Sequence, residues 1–197
     1  MNKVSKLLCI LVLVFSFFIF ACGEEETNDK ENLGFSLPSE ESILNKLGEN
    51  YYFKIVEKIE GFETVKEYYS TKEGYFVSIT KNDVNTSYLY LKGVNEFYLG
   101  DNKKLTLKDN DDLYEGSYGM DYIGFFEGEK VEKESDLEIT VNGRECKKYI
   151  IKGYSCYIDN ELGACIRCLD SSSGYEWSVK DLKIGGISIQ EFIALTK

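Results

Sequence analysis

The 197-residue sequence contains no histidine and only one proline. The absence of histidine removes the most frequent general base, most zinc chemistry, and every Ser-His-Asp or Cys-His catalytic arrangement. The sequence also lacks a glycine-rich phosphate-binding loop, and no pair of its scattered carboxylates stands out as an acid–base pair. We therefore expect a protein that is not an enzyme and that uses no metal or cofactor.

Positive charge is scarce as well. The chain has 23 basic and 34 acidic residues, and its formal net charge is −11. Proteins bind nucleic acids by neutralising phosphates with lysine and arginine, so this balance argues against a nucleic-acid partner. It also argues against charge-driven docking on an anionic lipid surface. We attribute the excess of acid to solubility.

The N-terminus has the pattern of an export signal. Lys3 and Lys6 precede an apolar run, Leu7–Ala21, and the acidic run Gly23–Glu26 follows almost at once. The apolar run is shorter than the roughly 20 residues that a spanning helix needs. Lysines before such a run and a small residue at its end are typical of a secretory signal. Removing residues 1–21 takes away two lysines and no acid, so the mature net charge becomes −13.

The end of the signal, Ile19-Phe20-Ala21-Cys22, resembles the bacterial lipobox. That resemblance implies cleavage before Cys22, a diacylglyceryl group on its sulfur, and an acylated N-terminus carrying fatty acids such as palmitate. Two or three acyl chains, at about 0.8 kcal/mol per buried CH₂, would make a nearly permanent anchor. Gly23 is not the aspartate that favours inner-membrane retention in such lipoproteins, so the outer membrane or cell surface is favoured. An uncleaved anchor helix and an ordinary signal peptide are the alternatives.

The mature chain divides into two parts. Residues 22–35 are polar and acidic and are predicted to form a flexible tether. Residues 36–197 have the size of one ordinary domain, which can bury about two-thirds of the surface of the unfolded chain. No internal repeat or second domain is evident. We expect a monomer.

Helix signals occur at the start of the domain, in Ser36–Gly48. Ser39 is a suitable N-cap, and Gly48 can adopt the left-handed conformation that ends a helix. Ile43 and Leu47 lie on one apolar stripe together with Leu44. A helix of two to three turns is not stable alone, so we expect it to pack on the rest of the domain.

From Tyr51 onward, short segments of alternating apolar and polar residues predict antiparallel strands that pair with their sequence neighbours. The Asn142-Gly143 pair predicts a type I′ hairpin turn. The last predicted strands are Gly174–Lys183 and Ile187–Leu195. Asp109–Glu127 lacks this alternating pattern and is predicted to form a loop followed by a short helix. Its aspartates lack the glycine and closing glutamate of an EF-hand, so a solvated loop is favoured over a calcium site.

Four cysteines remain in the mature domain, at positions 146, 156, 165 and 168. A thioredoxin-type pair would need Cys165 at a helix start, but it follows a hairpin turn in an alternating segment. A four-cysteine zinc site would need paired cysteines at both ends, and Cys146 and Cys156 are too far apart. Structural disulfides in an oxidising compartment are the remaining interpretation.

Strand register predicts which cysteines pair. If Lys152-Gly153 closes a two-residue turn, and if Asp159–Gly163 forms the next loop, Ile158 faces Ala164. Side chains on one sheet face then include Cys156 and Cys168, and those on the other include Cys146 and Cys165. We therefore predict disulfides Cys156–Cys168 and Cys146–Cys165. A slip of one residue in either register would exchange the partners.

Three segments carry a likeness to a known family. They are the capped helix leading into Tyr51–Val56, the Gly143–Tyr149 segment followed by the Asp-rich turn within Tyr157–Arg167, and Asp181–Phe192. Together they resemble the lipoprotein-carrier superfamily of LolA- and LolB-like proteins over most of the mature chain. The resemblance implies a mainly β (α+β) fold. Its single antiparallel meander sheet would curve into an open half-barrel, with the N-terminal helix and one further short helix packed on the concave side.

Two functions are compatible with these features. The first is a membrane-anchored envelope lipoprotein, without catalysis, that binds a lipid or other apolar ligand between the sheet and its helices. Phe53, Ile55, Tyr88 and Tyr90 are candidate wall residues, and ordinary core packing is the alternative role of each. The second is a structural or interaction lipoprotein with a filled core and a protein partner.

Overall fold

A computed structural model describes residues 37–108 and 126–197. The predicted signal at 1–21, the lipidation site Cys22, the whole predicted tether at 22–35 and nearly all of the Asp109–Glu127 segment lie outside these residues. The predictions made for them therefore stay predictions. The description below concerns the two described stretches.

The described residues form one sheet of eleven antiparallel strands. The strands are β1 (Tyr51–Ile59), β2 (Phe62–Thr71), β3 (Gly74–Lys81), β4 (Val84–Leu91), β5 (Glu96–Gly100), β6 (Leu105–Lys108), β7 (Lys133–Val141), β8 (Arg144–Ile151), β9 (Tyr154–Asp159), β10 (Cys165–Asp170) and β11 (Tyr175–Ile184). Their order is β6-β5-β4-β3-β2-β1-β11-β10-β9-β8-β7. Two meanders are thus joined through β1 and β11, and β6 and β7 are the edges. The prediction of a mainly β, open antiparallel sheet is confirmed.

Two-residue turns set the register of four hairpins. The predicted turn Asn142-Gly143 has φ angles of 51° and 81°, and the predicted turn Lys152-Gly153 has 51° and 80°. Glu60-Gly61 and Asn82-Asp83 likewise have positive φ at both positions. Two positive φ angles are the requirement of a type I′ turn, whose twist matches that of the flanking strands. Local turn chemistry therefore determines which strands pair along each meander.

The N-terminal helix, α1 (Glu40–Leu47), confirms the prediction made from its capping residues. Ser39 Oγ accepts a hydrogen bond from the N–H of Ser42 at 3.2 Å. Gly48 ends the helix with a φ of 70°, and its N–H donates to the Leu44 carbonyl at 2.8 Å. Ile43 and Leu47 are buried, so the predicted apolar stripe is the side of the helix that packs on the domain.

The C-terminal segment differs from the prediction. Ile187–Leu195 was expected to form a strand, but it contains the short helix α2 (Gln190–Ile193) and a 3₁₀ turn at Ala194–Thr196. The prediction is wrong because the apolar residues of this segment fit both the two-residue period of a strand and the 3.6-residue period of a helix. Burying Ile189, Phe192 and Ile193 together requires the helical one. Phe192 stacks on Phe76 of β3 with ring centroids 3.7 Å apart.

The two helices pack on opposite faces of the sheet. On β3, Phe76 and Val77 point to opposite faces because side chains alternate along a strand. Val77 belongs to the larger core with Ile43 and Leu47 of α1, whereas Phe76 belongs to the smaller core with Ile189. We call these sides the α1 face and the α2 face. The sheet therefore separates two hydrophobic cores.

A buried carboxylate organises the loop between β9 and β10. The Asp159 side chain is 2% exposed and forms an ion pair with Arg144, whose Nε and Nη2 both donate to it. The backbone N–H groups of Glu161 and Leu162 donate to Asp159 Oδ1 at 3.0 and 2.6 Å. Gly163 N–H donates to the Asp159 carbonyl at 2.8 Å. The Asp159 side chain thus satisfies two backbone N–H groups of this turn and holds Arg144 beside it.

Replacing Asp159 should therefore destabilise the domain strongly. Asp159→Ala leaves Arg144 and two backbone N–H groups without their acceptor, and we expect the free energy of unfolding to fall by about 3–5 kcal/mol. Glu161→Ala is the matched control, because Glu161 also pairs with Arg144, at 3.2 Å, but its side chain is 83% exposed. Glu161→Ala should lower the free energy of unfolding by less than about 1 kcal/mol. Urea unfolding measures both, and equal effects would contradict the assignment.

Candidate functional site

The four predicted wall residues share the α1 face. Phe53 lies opposite Tyr68 on β2, Tyr68 lies opposite Val77, and Val77 lies opposite Tyr88 on β4. Tyr90 is two residues further along β4 on the same side. Phe53 and Ile55 are fully buried, whereas Tyr88 and Tyr90 are half-buried. The structure thus places the four residues on one surface, with Phe53 and Ile55 inside the core.

The space between α1 and the sheet is filled. The cavity there has a volume of about 10 Å³. Its lining residues are Ile43, Leu47, Leu162, Ala164, Cys165, Ile166, Val179 and Leu182. A single water molecule needs roughly this much room, and a pocket for a small-molecule ligand measures about 300–1,000 Å³. Among the described residues, the interior under α1 is packed core.

Two larger hollows open on the surface and are lined mostly by polar residues. One has a volume of about 430 Å³ and is lined by Lys46, Lys147, Glu138 and Asp159 among others. The Nζ of Lys46 donates to the carbonyls of Glu161 and Leu162 at 2.9 and 3.0 Å, which joins α1 to the β9–β10 loop. The other hollow, of about 240 Å³, lies between Asn50 and Gln190. Basic and acidic groups are mixed in both, so neither selects a ligand of one charge.

An exposed apolar patch occurs at the tips of two hairpins. Ile59 lies opposite Phe62 across the β1–β2 turn, and Val84 begins β4 after the β3–β4 turn. Their exposed fractions are 47%, 54% and 68%. Register places all three on the α1 face, at the same end of the sheet. We call them the hairpin-tip patch. Sequence reasoning missed it, although apolar residues directly beside polar two-residue turns were a visible signal.

The cysteines are buried and are unbonded thiols in the structure. Cys156 on β9 lies directly opposite Cys168 on β10. The predicted register of the β8–β9 hairpin is confirmed, with Ile151 opposite Tyr154. The predicted register of β9 with β10 is wrong, because Cys165 instead of Ala164 lies opposite Ile158, and a bulge between Cys165 and Arg167 then shifts the register by one more residue.

The strand register groups three of the cysteines. Cys165 lies opposite Ile158, two residues along β9 from Cys156, and Cys168 lies opposite Cys156, so these three side chains share the α1 face. The proximity of Cys165 is the largest cause of the raised pKa of Cys156, whereas the proximity of Cys168 acts to lower it; the proximity of Cys156 raises the pKa of Cys168. Cys146 lies on β8 opposite Asp159, and its Sγ contacts the Arg144 carbonyl at 3.3 Å. The two predicted disulfides stay predictions.

Within residues 37–108 and 126–197, no group of three or more cysteine, aspartate or glutamate side chains has an arrangement that could hold a metal ion. Over the same residues, none of the helices has the length and apolar character needed to cross a bilayer.

Comparison with known proteins gives a distant architectural likeness. No protein-family model and no curated protein matches the chain. Similar solved structures include MucB in complex with MucA(peri), at 13% identity and a TM-score of 0.43, over 79% of this chain and 59% of that one. An uncharacterized conserved protein from Thermus thermophilus has 10% identity and a TM-score of 0.44, over 77% of this chain and 88% of that one.

The MucA/MucB complex of Pseudomonas aeruginosa is a further match, at 11% identity and a TM-score of 0.37, over 78% of this chain and 60% of that one. The chain thus spans about three-fifths of the length of the MucB chains that it matches. Similarities at this level concern the fold alone and give no basis for assigning a function.

Burial gives Cys146 a measurable effect on stability at alkaline pH. Burial raises the pKa of this thiol from about 9 to about 11. The stabilisation by the neutral thiol is complete below pH 9 and is lost as the pH rises towards 11, because the unfolded state then ionises first. The full shift corresponds to about 2–3 kcal/mol.

The measurement compares the parent with Cys146→Ala under reducing conditions. We expect the difference in their free energies of unfolding to be constant up to about pH 8.5 and to shrink by about 2 kcal/mol near pH 11. Tyrosine ionisation affects both proteins and cancels in the difference. A difference that stays constant to pH 11 would show that Cys146 is not buried as described.

Proposed function

We propose that this protein is a lipid-anchored lipoprotein of the bacterial envelope, without catalytic activity, whose domain acts by contact with a protein partner. The observation that carries this proposal is the filled interior under α1, where, among the described residues, the cavity measures only about 10 Å³. A carrier of acyl chains needs a cavity many times larger. The geometry therefore favours the interaction function over the binding of an apolar ligand in the core.

The hairpin-tip patch supports the same function. Phe62 and Val84 are more than half exposed. Isolated apolar side chains are common on protein surfaces, but a group on one face and at one end is typical of a contact surface. Ile59 extends the group across the turn. A partner that covers the patch would remove this apolar surface from water.

The resemblance to the LolA- and LolB-like superfamily is retained here as a proposal about ancestry and architecture. Those proteins and this chain would share an open antiparallel sheet with a preceding helix. In this chain, α1 and α2 cover opposite faces with their own apolar side chains. We propose that packing of this kind replaced the ligand space that the resemblance implies.

The ligand question has a direct test. The lipoprotein is purified in mild detergent, analysed by native mass spectrometry, and extracted with organic solvent. We expect the mass of the acylated chain alone and no stoichiometric lipid or other apolar molecule, because the core has no room for one. A lipid that remains bound in one-to-one ratio after detergent exchange would instead support the ligand-binding function.

The anchor is tested separately at the lipobox-like cysteine. Cells that express the parent or Cys22→Ser are fed a clickable fatty acid, and the protein is assayed for label and for membrane fractionation. We expect Cys22→Ser to lose the label and to leave the membrane fraction, because the acyl chains supply the attachment. Cys9→Ser is the matched control and should keep both. Equal labelling of the parent and Cys22→Ser would exclude the anchor.

A further inference from the structure

The strand positions of the cysteines favour the predicted Cys156–Cys168 disulfide and disfavour the predicted Cys146–Cys165 disulfide. Residues directly opposite on antiparallel strands have Cα atoms about 4.5–5.5 Å apart. A disulfide joins Cα atoms that are about 4.4–6.8 Å apart. Cys156 and Cys168 are such an opposite pair, and their side chains lie on the same face. This pair needs little backbone movement to close.

Cys146 and Cys165 do not meet this condition. Cys146 is on β8 and Cys165 is on β10, with β9 between them. Neighbouring strands are about 4.7–4.9 Å apart, so β8 and β10 are separated by about 9–10 Å. That exceeds the span of a disulfide. The contacts of the two thiols also differ, since Cys165 is grouped with Cys156 and Cys146 lies beside Arg144.

We propose that oxidation of the folded protein forms a single disulfide, Cys156–Cys168, and leaves Cys146 and Cys165 as thiols. The oxidant is a low-molecular-weight disulfide such as oxidised glutathione. The Cys156 thiolate attacks one sulfur of the oxidant, and a mixed disulfide forms as the first glutathione thiolate leaves. The Cys168 thiolate then attacks the Cys156 sulfur and expels the second glutathione. Two protein thiols become one disulfide, and their two protons are taken up by the two glutathione thiolates.

Cys165 has a distinct place beside this bond. It lies opposite Ile158, two residues along β9 from Cys156, so it is a diagonal neighbour of Cys156. Diagonal positions are about 7–8 Å apart, beyond the span of an unstrained disulfide. Cys165 is therefore the nearest spare thiol to the bond but a poor substitute for Cys168. All three side chains are buried, so the reaction requires local opening and should be slow in the native state.

Peptide mapping tests this assignment on the purified mature lipoprotein. The reduced protein is equilibrated with oxidised and reduced glutathione, quenched in acid, alkylated after denaturation, and digested. We expect one disulfide per chain, joining Cys156 to Cys168, with Cys146 and Cys165 alkylated. A Cys146–Cys165 disulfide, or four alkylated cysteines under excess oxidant, would overturn the proposal. The result does not depend on the proposed anchor or partner.

Three variants test the role of the individual cysteines in forming this disulfide. Cys146→Ser should form the disulfide at the rate of the parent, whereas Cys156→Ser should form none. Cys168→Ser should form a Cys156–Cys165 bond at least about 10-fold more slowly than the parent forms its own, because the diagonal pair must strain the backbone. The oxidised parent should unfold about 5–10 °C above the reduced parent. Because the mapping of the parent decides the pairing, a variant that fails to fold leaves the test intact.

Discussion

The pairing of β1 with β11 is the contact on which the rest of the fold depends. It runs from Tyr51 opposite Ile184 to Lys58 opposite Glu176, and it joins the first six strands to the last five. Phe53 and Ile55 of β1 share one core with Trp177 and Val179 of β11, so neither meander can complete that core alone. Because the partners are distant in sequence, their pairing requires a long loop to close and depends on the hairpins that form locally on each side.

The same junction places the two helices. The connection from α1 to β1 and the connection from β11 to α2 meet at Asn50. The Asn50 carbonyl accepts from Gly185 N–H at 2.6 Å, and its side chain exchanges two hydrogen bonds with the backbone of Ile187, at 2.7 and 2.9 Å. Both helices thus leave the centre of the sheet from one point and fold onto opposite faces. Asn50 thus links the segment that leads from α1 into the sheet with the segment that leads from the sheet to α2.

Features that depend on local chemistry were predictable, and those that depend on distant packing were not. Ser39 and Gly48 predicted α1, and Asn142-Gly143 predicted its hairpin, because caps and type I′ turns require particular residues. The C-terminal helix was missed because its formation depends on packing against a residue that is distant in sequence. Phe192 of this helix stacks on Phe76 of β3. The bulge at Ile166 was also missed, since nothing in its neighbours requires an extra residue there. The candidate cysteine pair was reached because the bulge left Cys156 and Cys168 on one face.

The packing of α1 also limits where a partner can bind. To admit a ligand beneath it, α1 would have to expose Ile43 and Leu47, at about 1.5–3 kcal/mol for each side chain. It would also lose the two hydrogen bonds from Lys46 to the β9–β10 loop and the close contact of Pro38 with Gly163, where a Cβ would lie 2.7 Å from Pro38 Cγ. Contact at the hairpin-tip patch requires none of this, because those side chains are already in water. A partner that bound there would gain apolar burial without opposing the fold, which is why we propose the surface, and not the core, as the site of function.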